Sequence, residues 1–489
     1  MASVPQPLPL RVIIIGGAIT GLTLARCLEK AGIDYIILEK HTDVLTNLGG
    51  TIALLPAGCR VLDQLGVYDL LENCKSDLRG LVTALPDGHV YRKETFGMFG
   101  PKLGYPLTLL HRKDLLHALY TSLEDKSRIH VGAKVVDVAP QVETEVDGPL
   151  CVTIASGEVY TGDVVVGADG VHGATREHMW RIADLQQTPE GRTNHARKET
   201  GAMTVDYYTI LGVTPATDSS RRLTELIRPG DMYMRCDKGV MLTLIKNPEG
   251  SVNWFVAFKM DKPCVYPDIP MKFSQEEIRA KLEEYAEWQA WGNIADNSDI
   301  KFQELWRDNP RLSATHLQEG VFDTWSRGRI TCIGDTVFKF TPNLAQGANL
   351  CIESAAALAN TLHGIKASGH ATTANIHEAL EVYPRTLQSR IKRLGVISYH
   401  TTRVHLLESR FLFYVARYIL PYVMEPWVQF GVFLREHGMA VTLDYLPRPE
   451  RDRLAADKRA RAWRYWKIVG QFGLGLILGI GAFCWFRLC

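Results

Sequence analysis

The sequence predicts an α/β protein in which one doubly wound domain is interrupted by an inserted antiparallel-sheet domain, followed by C-terminal helices and a transmembrane helix. Three observations predict it. A buried-type strand, a glycine turn and a helix open the chain at residues 11–31. The same strand texture returns at 163–169 and 330–334, on either side of stretches in which apolar and polar residues alternate. A charge-free run of 18 residues, VGQFGLGLILGIGAFCWF, occupies Val469–Phe486.

At 489 residues the chain exceeds the usual size of a single domain. Its 46% apolar and 22% charged residues are ordinary for a protein with a large core. A formal net charge of +1 argues against a nucleic-acid partner, which normally calls for a basic excess. Ten cysteines stand singly, with no CxxC pair, as reduced thiols in a cytosol-facing compartment do. The opening MASVPQPLPL has three prolines and no basic residue, so no secretory signal is expected there.

RVIII (Arg11–Ile15) reads as a buried parallel strand, and Gly21–Ala31 as a helix with Leu22, Ala25 and Leu28 on one face. Tyr35–Glu39 is a second strand, which completes a βαβ unit of about 30 residues. Pro56–Leu65 has the texture of a helix with proline in its first turn. Alternation over Met203–Leu211, Val240–Lys246 and Val252–Phe258 predicts antiparallel strands, and Ser274–Gln289 a helix. Another helix is expected from about Ala348 to His363, and the tail from Tyr383 is helical. Phe411–Leu434, broken by Arg417, Pro421, Glu425 and Pro426, is expected to form an interfacial or core helical hairpin.

These readings divide the chain as follows. Residues 1–9 are a flexible N-terminus, and the doubly wound domain comprises 10–78, 109–180 and 306–375. The sheet domain takes 79–108 and 181–305, a helical region 376–457, and a basic, aromatic flank with the anchor 458–489. As a helix, 469–486 would span about 27 Å, close to a bilayer core. Trp463, Tyr465, Trp466 and Trp485 flank it like interfacial aromatics, and the cations Lys458, Arg459, Arg461, Arg464 and Lys467 precede it. That bias puts the body on the cytosolic side of a membrane, with the endoplasmic reticulum expected. A glycine-rich helix buried in the fold or an oligomer is the other reading of this run. The GLILG stretch at Gly475–Gly479 is taken as tolerated glycine, not as a dimer motif.

The chemistry begins at Gly16-Gly17-Ala18-Ile19-Thr20-Gly21, between strand and helix. Gly16 suits the tight turn and Gly21 a close helix–strand approach, while the helix N-terminus offers free N–H groups to a pyrophosphate. Ala18 replaces one glycine of the motif and narrows that approach. Glu39 ends the second strand, placed to accept from ribose hydroxyls. Three later segments separate FAD from NAD: Leu110–Leu116 with Arg112 at a helix start, Gly167-Ala168-Asp169-Gly170 with Gly173 and Arg176, and Cys332–Asp335 with the loop Thr341–Asn349.

With these elements in this order, the chain resembles flavoprotein monooxygenases of the para-hydroxybenzoate hydroxylase type over roughly residues 10–365. It is most similar to fungal FAD-dependent monooxygenases of meroterpenoid and indole-diterpene biosynthesis, through GGAITG, Leu54–Gly66, TPN and the apolar tail. The resemblance implies a Rossmann-like FAD-binding domain. It implies that Gly16, Gly17, Gly21, Glu39, Ala53, Arg112, Asp169, Asp335 and Ala348 bind FAD. Glu39 would hold the ribose, Ala53 would contact the cofactor by its backbone, and Arg112 would hold the FAD chain. Asp335 would face the ribityl or pyrophosphate region, Asp169 both FAD and the nicotinamide nucleotide, and Ala348 the isoalloxazine. Two departures stand out: Phe338 where many relatives have histidine, and Ala345 for the first glycine of the loop.

Tyr207 is the catalytic candidate, on the strand where relatives carry a substrate-facing tyrosine; packing is the other reading of a tyrosine on a half-buried strand. His172 and His178 lack a nearby third ligand, so no metal is expected. Trp288 and Trp291 are expected in the core or an interface. The resemblance further implies NADPH or NADH as reductant and O₂ as oxidant, with one oxygen atom inserted into a lipophilic small molecule. The apolar tail points to an acceptor that partitions into a bilayer, and epoxidation of a prenyl olefin is the specific expectation. Alternatives are an aromatic hydroxylase of the same fold and a membrane-tethered, non-catalytic flavin-binding protein.

Overall fold

The computed structural model describes residues 10–45, 50–141, 148–185, 199, 201–217, 225, 227–247, 249–268, 273–291, 300–307, 312–423 and 426–458. Arg11–Ile15 forms an inner strand of a six-stranded sheet, in the order 326–327, 330–332, 164–167, 11–15, 34–38, 129–130. Its pairs are parallel except at the edge, where Ser326–Arg327 runs antiparallel to Ile330–Cys332. Val12, Ile13, Ile14, Val164, Val165 and Val166 are fully buried. This explains the unbroken apolar runs, because parallel strands are covered on both faces. Helix Ile19–Ala31 returns from the first strand and packs against the long helix Gln346–Ala367.

The second large sheet has eight strands in the order 338–339, 313–321, 203–214, 252–265, 240–246, 231–237, 80–84, 90–95. Its period-2 patterning sends successive residues to opposite faces. Tyr208, Leu242, Trp254 and Phe258 join Ile278, Leu282 and Phe302 beneath helix Gln275–Glu283. Tyr207, Met241, Met234 and Ala257 join Leu406, Leu407 and Ala416 of the C-terminal helices on the other face. A small sheet of Thr51–Leu54, Thr108–His111 and Ser76–Asp77 lies between these layers in sequence, and its Ala53 borders the second apolar cluster.

Several boundaries differ from expectation. Helix Ser274–Gln289 is shorter: Ser274 caps it through a reciprocal pair with Glu277, it ends at Glu283, and Gln289–Trp291 is a strand. The long helix starts at Gln346 and runs to Ala367, so Ala348 lies inside its first turn. Phe411–Leu434 is a broken series: Arg410–Tyr414, a π turn at Val415–Ile419, Leu420–Val423, then Pro426–Met439. Pro426 opens its helix, where a missing N–H costs nothing. Among the described residues no helix is long and apolar enough to cross a membrane. The proposed span 469–486, its aromatic flank and GLILG lie outside the described residues.

Candidate functional site

The glycine turn is built by exclusion. Gly16 has φ +109°, and a Cβ there would sit 2.5 Å from the Ala168 carbonyl oxygen. A Cβ at Gly21 would lie 1.9 Å from the Gly16 carbonyl oxygen, so the helix can approach the strand only as glycine. Ala18 is the extended N-cap, and no side chain caps the helix among the described residues. Glu39 is buried at the end of the second strand; it accepts from the Gly17 amide at 2.7 Å and faces His41 Nδ1 at 2.6 Å. A carboxylate thus stands beside an open helix N-terminus, as the ribose and pyrophosphate of a dinucleotide require.

Asp169 accepts from the Thr175 amide at 3.0 Å and the Thr175 hydroxyl at 2.8 Å. Burial raises its pKa, against those donors. Gly167 and Gly173 are spatial requirements: a Cβ at Gly173 would sit 2.1 Å from the Asp169 carboxyl, and one at Gly167 2.8 Å from the Thr175 side chain. Thr336 joins the two acidic turns. Its hydroxyl receives the Gly170 amide at 3.1 Å, and its carbonyl receives Arg176 Nη1 at 2.5 Å. Arg176 is fully buried, with Phe322 4.1 Å from its guanidinium carbon.

Asp335 pairs with Lys339, and Cys351 Sγ lies 3.7 Å from its other oxygen. Burial alone would lower the Lys339 pKa; Asp335 outweighs it and raises the value. Arg112 starts its helix, and its amide donates to the Gly50 carbonyl at 3.1 Å. Burial lowers its pKa, with Asp335, Cys351 and Glu39 opposing, so Arg112 lies in the field of both acidic motifs. Asn349 is fully buried and ties the loop to the small sheet. Its amide donates to the Ala53 carbonyl at 2.9 Å and the Ala345 carbonyl at 2.7 Å, and accepts the Leu55 amide at 2.9 Å. Ala345 adopts the left-handed conformation, φ +54°, at the N-cap of the long helix. That is where the glycine of the usual loop would be unstrained. Ala348 lies half-buried one turn in.

The first nine candidate residues therefore lie on the motif turns and the strands and helices that flank them, while Tyr207 lies on the facing sheet. Tyr207 is fully buried, its hydroxyl bonds Glu408, and Arg403 stacks 5.1 Å from its ring. Burial first, then that bond, pushes the phenol well above its ordinary range, so it stays a donor. His172 contacts Gln318 at 3.2 Å and His178 lies 3.8 Å from Asp137. No group of three His, Cys, Asp or Glu residues suited to a metal exists among the described residues. Phe338 is core, beside Trp325 and Phe340. Trp288 packs near Phe302 and donates to Asp237 at 3.2 Å, and the Trp291 side chain lies outside the described residues. Sequence reasoning missed Thr336, Lys339 and the locking role of Asn349; only the loop signature pointed near the last.

These residues fit FAD. Two helix N-termini lack a side-chain cap among the described residues, and Glu39 and Asp335 flank them. A Cβ at Gly170 or Gly347 would meet nothing within 4 Å, which leaves open space beside both turns. Gln346 Oε1 is buried with no hydrogen-bond partner among the described residues, an acceptor suited to a ring N–H.

Fold and site together define an FAD-binding α/β flavoprotein. Residues 9–186 and 230–380 match the family described as "FAD binding domain", and the chain belongs to that family. The FAD-dependent monooxygenase esdpE of Penicillium shearii is 34% identical over 444 residues, covering 90% of this chain and 87% of its own. The FAD-dependent monooxygenase olcE of Penicillium canescens is 34% identical, covering 97% and 98%. Two solved structures share the fold: Klebsiella pneumoniae HpxO complexed with FAD and uric acid, and a salicylate hydroxylase substrate complex. For HpxO the TM-score is 0.67 at 17% identity, covering 89% of this chain and 99% of the other. For the hydroxylase it is 0.64 at 18%, covering 89% and 98%. The chain is an FAD-dependent monooxygenase, and the non-catalytic flavin-binding alternative is set aside.

Proposed function

We propose that this monooxygenase uses NAD(P)H and O₂ to insert one oxygen atom into a lipophilic molecule of fungal secondary metabolism, epoxidising a prenyl olefin of a meroterpenoid or indole diterpene. The carrying observation is the apolar, methionine-rich cluster that Met232, Met234, Met241, Phe255 and Leu317 form with Tyr207, which meets the loop where Met241 Sδ lies 3.5 Å from Asn343. Such a cluster would exclude water and suit a flexible hydrocarbon chain. Bound FAD supplies the electron transfer and oxygen activation. Glu39, Ala53, Arg112, Asp169 and Asp335, with the Gly16–Gly21 turn, are proposed to hold it, and the helix end at Gln346–Ala348 to face its ring. Tyr207 is proposed as the substrate-side residue, held in place by donating its hydroxyl proton to Glu408. One observation favours aromatic hydroxylation instead: the Tyr207–Glu408 pair with Lys259 at 3.3 Å is a polar group that could orient a phenol.

Purified holoprotein, NADPH and prenylated or phenolic candidates under ¹⁸O₂ separate the readings. Label in an epoxide supports the proposal; label only in a ring hydroxyl overturns it. We also propose the division into segments given above and an anchor at 469–486, on its charge-free composition and preceding cations. Deleting 469–489 should release the protein from membranes at alkaline pH; unchanged extraction of the full chain would sink the anchor.

A further inference from the structure

Helix Gln388–His405 lies wholly beyond residue 380, where the family match ends. Its Ser398, Thr402 and His405 are spaced by four and three residues, hence on one face. All three reach the loop that begins the long helix at the flavin site. Thr402 Oγ1 lies 2.9 Å from the Ser398 carbonyl, which only accepts, so Thr402 donates there. The 2.6 Å contact between Thr341 and Thr402 then requires Thr341 to donate. Thr341 is left to accept from the Ser398 hydroxyl at 2.9 Å. Thr341, Ser398 and Thr402 are essentially fully buried, and this circuit satisfies all three hydroxyls in one direction.

One turn later, Asn343 Nδ2 lies 2.9 Å from His405 Nδ1 and 3.5 Å from Met241 Sδ. A thioether sulfur has no proton to give, so the amide nitrogen is the atom on this side, and His405 Nδ1 accepts. Asn343 Oδ1 is turned to a buried position with no hydrogen-bond partner among the described residues. The same helix also grips the facing sheet: Arg403 Nη1 donates to Glu319 at 2.7 Å, and Nη2 pairs with Asp206.

We propose that the Ser398–Thr402–His405 stripe is a positioning element of the flavin site. It fixes loop 341–345, including the left-handed Ala345, and so sets where the N-terminus of the long helix meets the flavin. These are positioning residues, acting through Thr341 and Asn343. The inference rests on FAD binding and not on the epoxidation reading.

The test uses full-length, FAD-loaded protein carrying Thr402→Val, Thr402→Ser or His405→Phe, with the exposed-face Val396→Ala as control. FAD affinity is read by fluorescence titration, and the flavin midpoint potential by dye-equilibrated chemical reduction. Losing one buried hydrogen bond should weaken FAD binding by about threefold to tenfold in Thr402→Val and His405→Phe. The relative affinity for oxidised and reduced flavin should change by up to about tenfold, or about 30 mV for a two-electron couple. Thr402→Ser, which keeps the hydroxyl, and Val396→Ala should match the parent. If Thr402→Val fails to fold, Ser398→Ala opens the same circuit and is read in its place. The proposal is overturned if the variants melt earlier yet keep the parent's FAD affinity and potential. If no epoxide is found while these shifts are, the substrate reading fails and the positioning role stands.

Discussion

A methyl group at position 21 would collide with the Gly16 carbonyl, whereas one at position 347 would meet nothing within 4 Å. Gly21 therefore serves the protein's own packing, and on the proposed site Gly347 would serve the cofactor. Gly21→Ala should cost about 3 kcal/mol through forced separation of helix and strand, and yield protein without flavin colour. Gly347→Ala should leave the apoprotein as stable, or more stable by up to about 1 kcal/mol, since alanine favours the helix. Its FAD affinity should nevertheless fall. Thermal unfolding of apoprotein together with fluorescence titration distinguishes the two; equal damage to the apoproteins would contradict the assignment. Gly16, Gly21 and Glu39 were legible in the sequence because their geometry is local, a turn and two strand ends within 29 residues (11–39). Asn349 was not, because its partners at 53, 55 and 345 converge only through the fold. The Ser398–Thr402–His405 stripe was equally silent, since polar residues on a helix usually mark a solvated face.

Strands 11–15, 203–214, 240–246 and 252–265 were readable from apolar runs and alternation, since burial on two faces or one writes those patterns directly. Helix 274–289 was overcalled because its amphipathic texture continues into a turn that tertiary packing of Trp288 imposes. The ionic, long-range part of the docking of the C-terminal helices was not readable. Asp452, fully buried, accepts from Arg448 Nε at 2.9 Å, faces His437 Nε2 at 3.3 Å and lies 3.8 Å from Arg60 of helix Pro56–Gln64. Burial alone would raise its pKa; the His437 bond, Arg60 and Arg448 outweigh it and hold the carboxyl below 3.8. A depressed folded value stabilises above the unfolded pKa and is lost as pH falls through the folded one. Denaturant midpoints should therefore drop below about pH 3.8 in the parent, with this contribution absent from Asp452→Asn. That variant should also lose about 3 kcal/mol at neutral pH, because the buried Arg60 keeps its charge without the carboxylate, while the half-exposed Arg448 is left to water. A variant as stable as the parent would show that apolar packing and the bonds from Arg60 to the Ala440 and His437 carbonyls hold the docking without the carboxylate.

The ligands proposed for the cofactor come from segments spread between residues 16 and 348, so at the scale of the molecule FAD would be a cross-link between distant parts of the chain. Sequence order alone suggested one site for Gly16–Gly21, Glu39, Asp169 and Asp335, because each follows a strand of the same parallel sheet, whereas Ala53 and Arg112 come from the small antiparallel sheet. What order could not show is how much of the site the protein holds by itself. Thr336 joins the two acidic turns, Asn349 locks the loop to Ala53 and Leu55, and the Arg112 amide bonds the Gly50 carbonyl, all by protein contacts. The apoprotein should accordingly keep its fold, and FAD should stabilise by mass action and not by completing it. At about 100 times its dissociation constant, FAD should add about 2.7 kcal/mol, rising with the logarithm of its concentration. Circular dichroism of stripped protein should retain the helix and strand signal while the unfolding temperature falls, and both should recover on adding FAD. Loss of secondary structure on stripping would mean that the cofactor builds the site; an unfolding temperature indifferent to FAD would mean that the turns do not bind it.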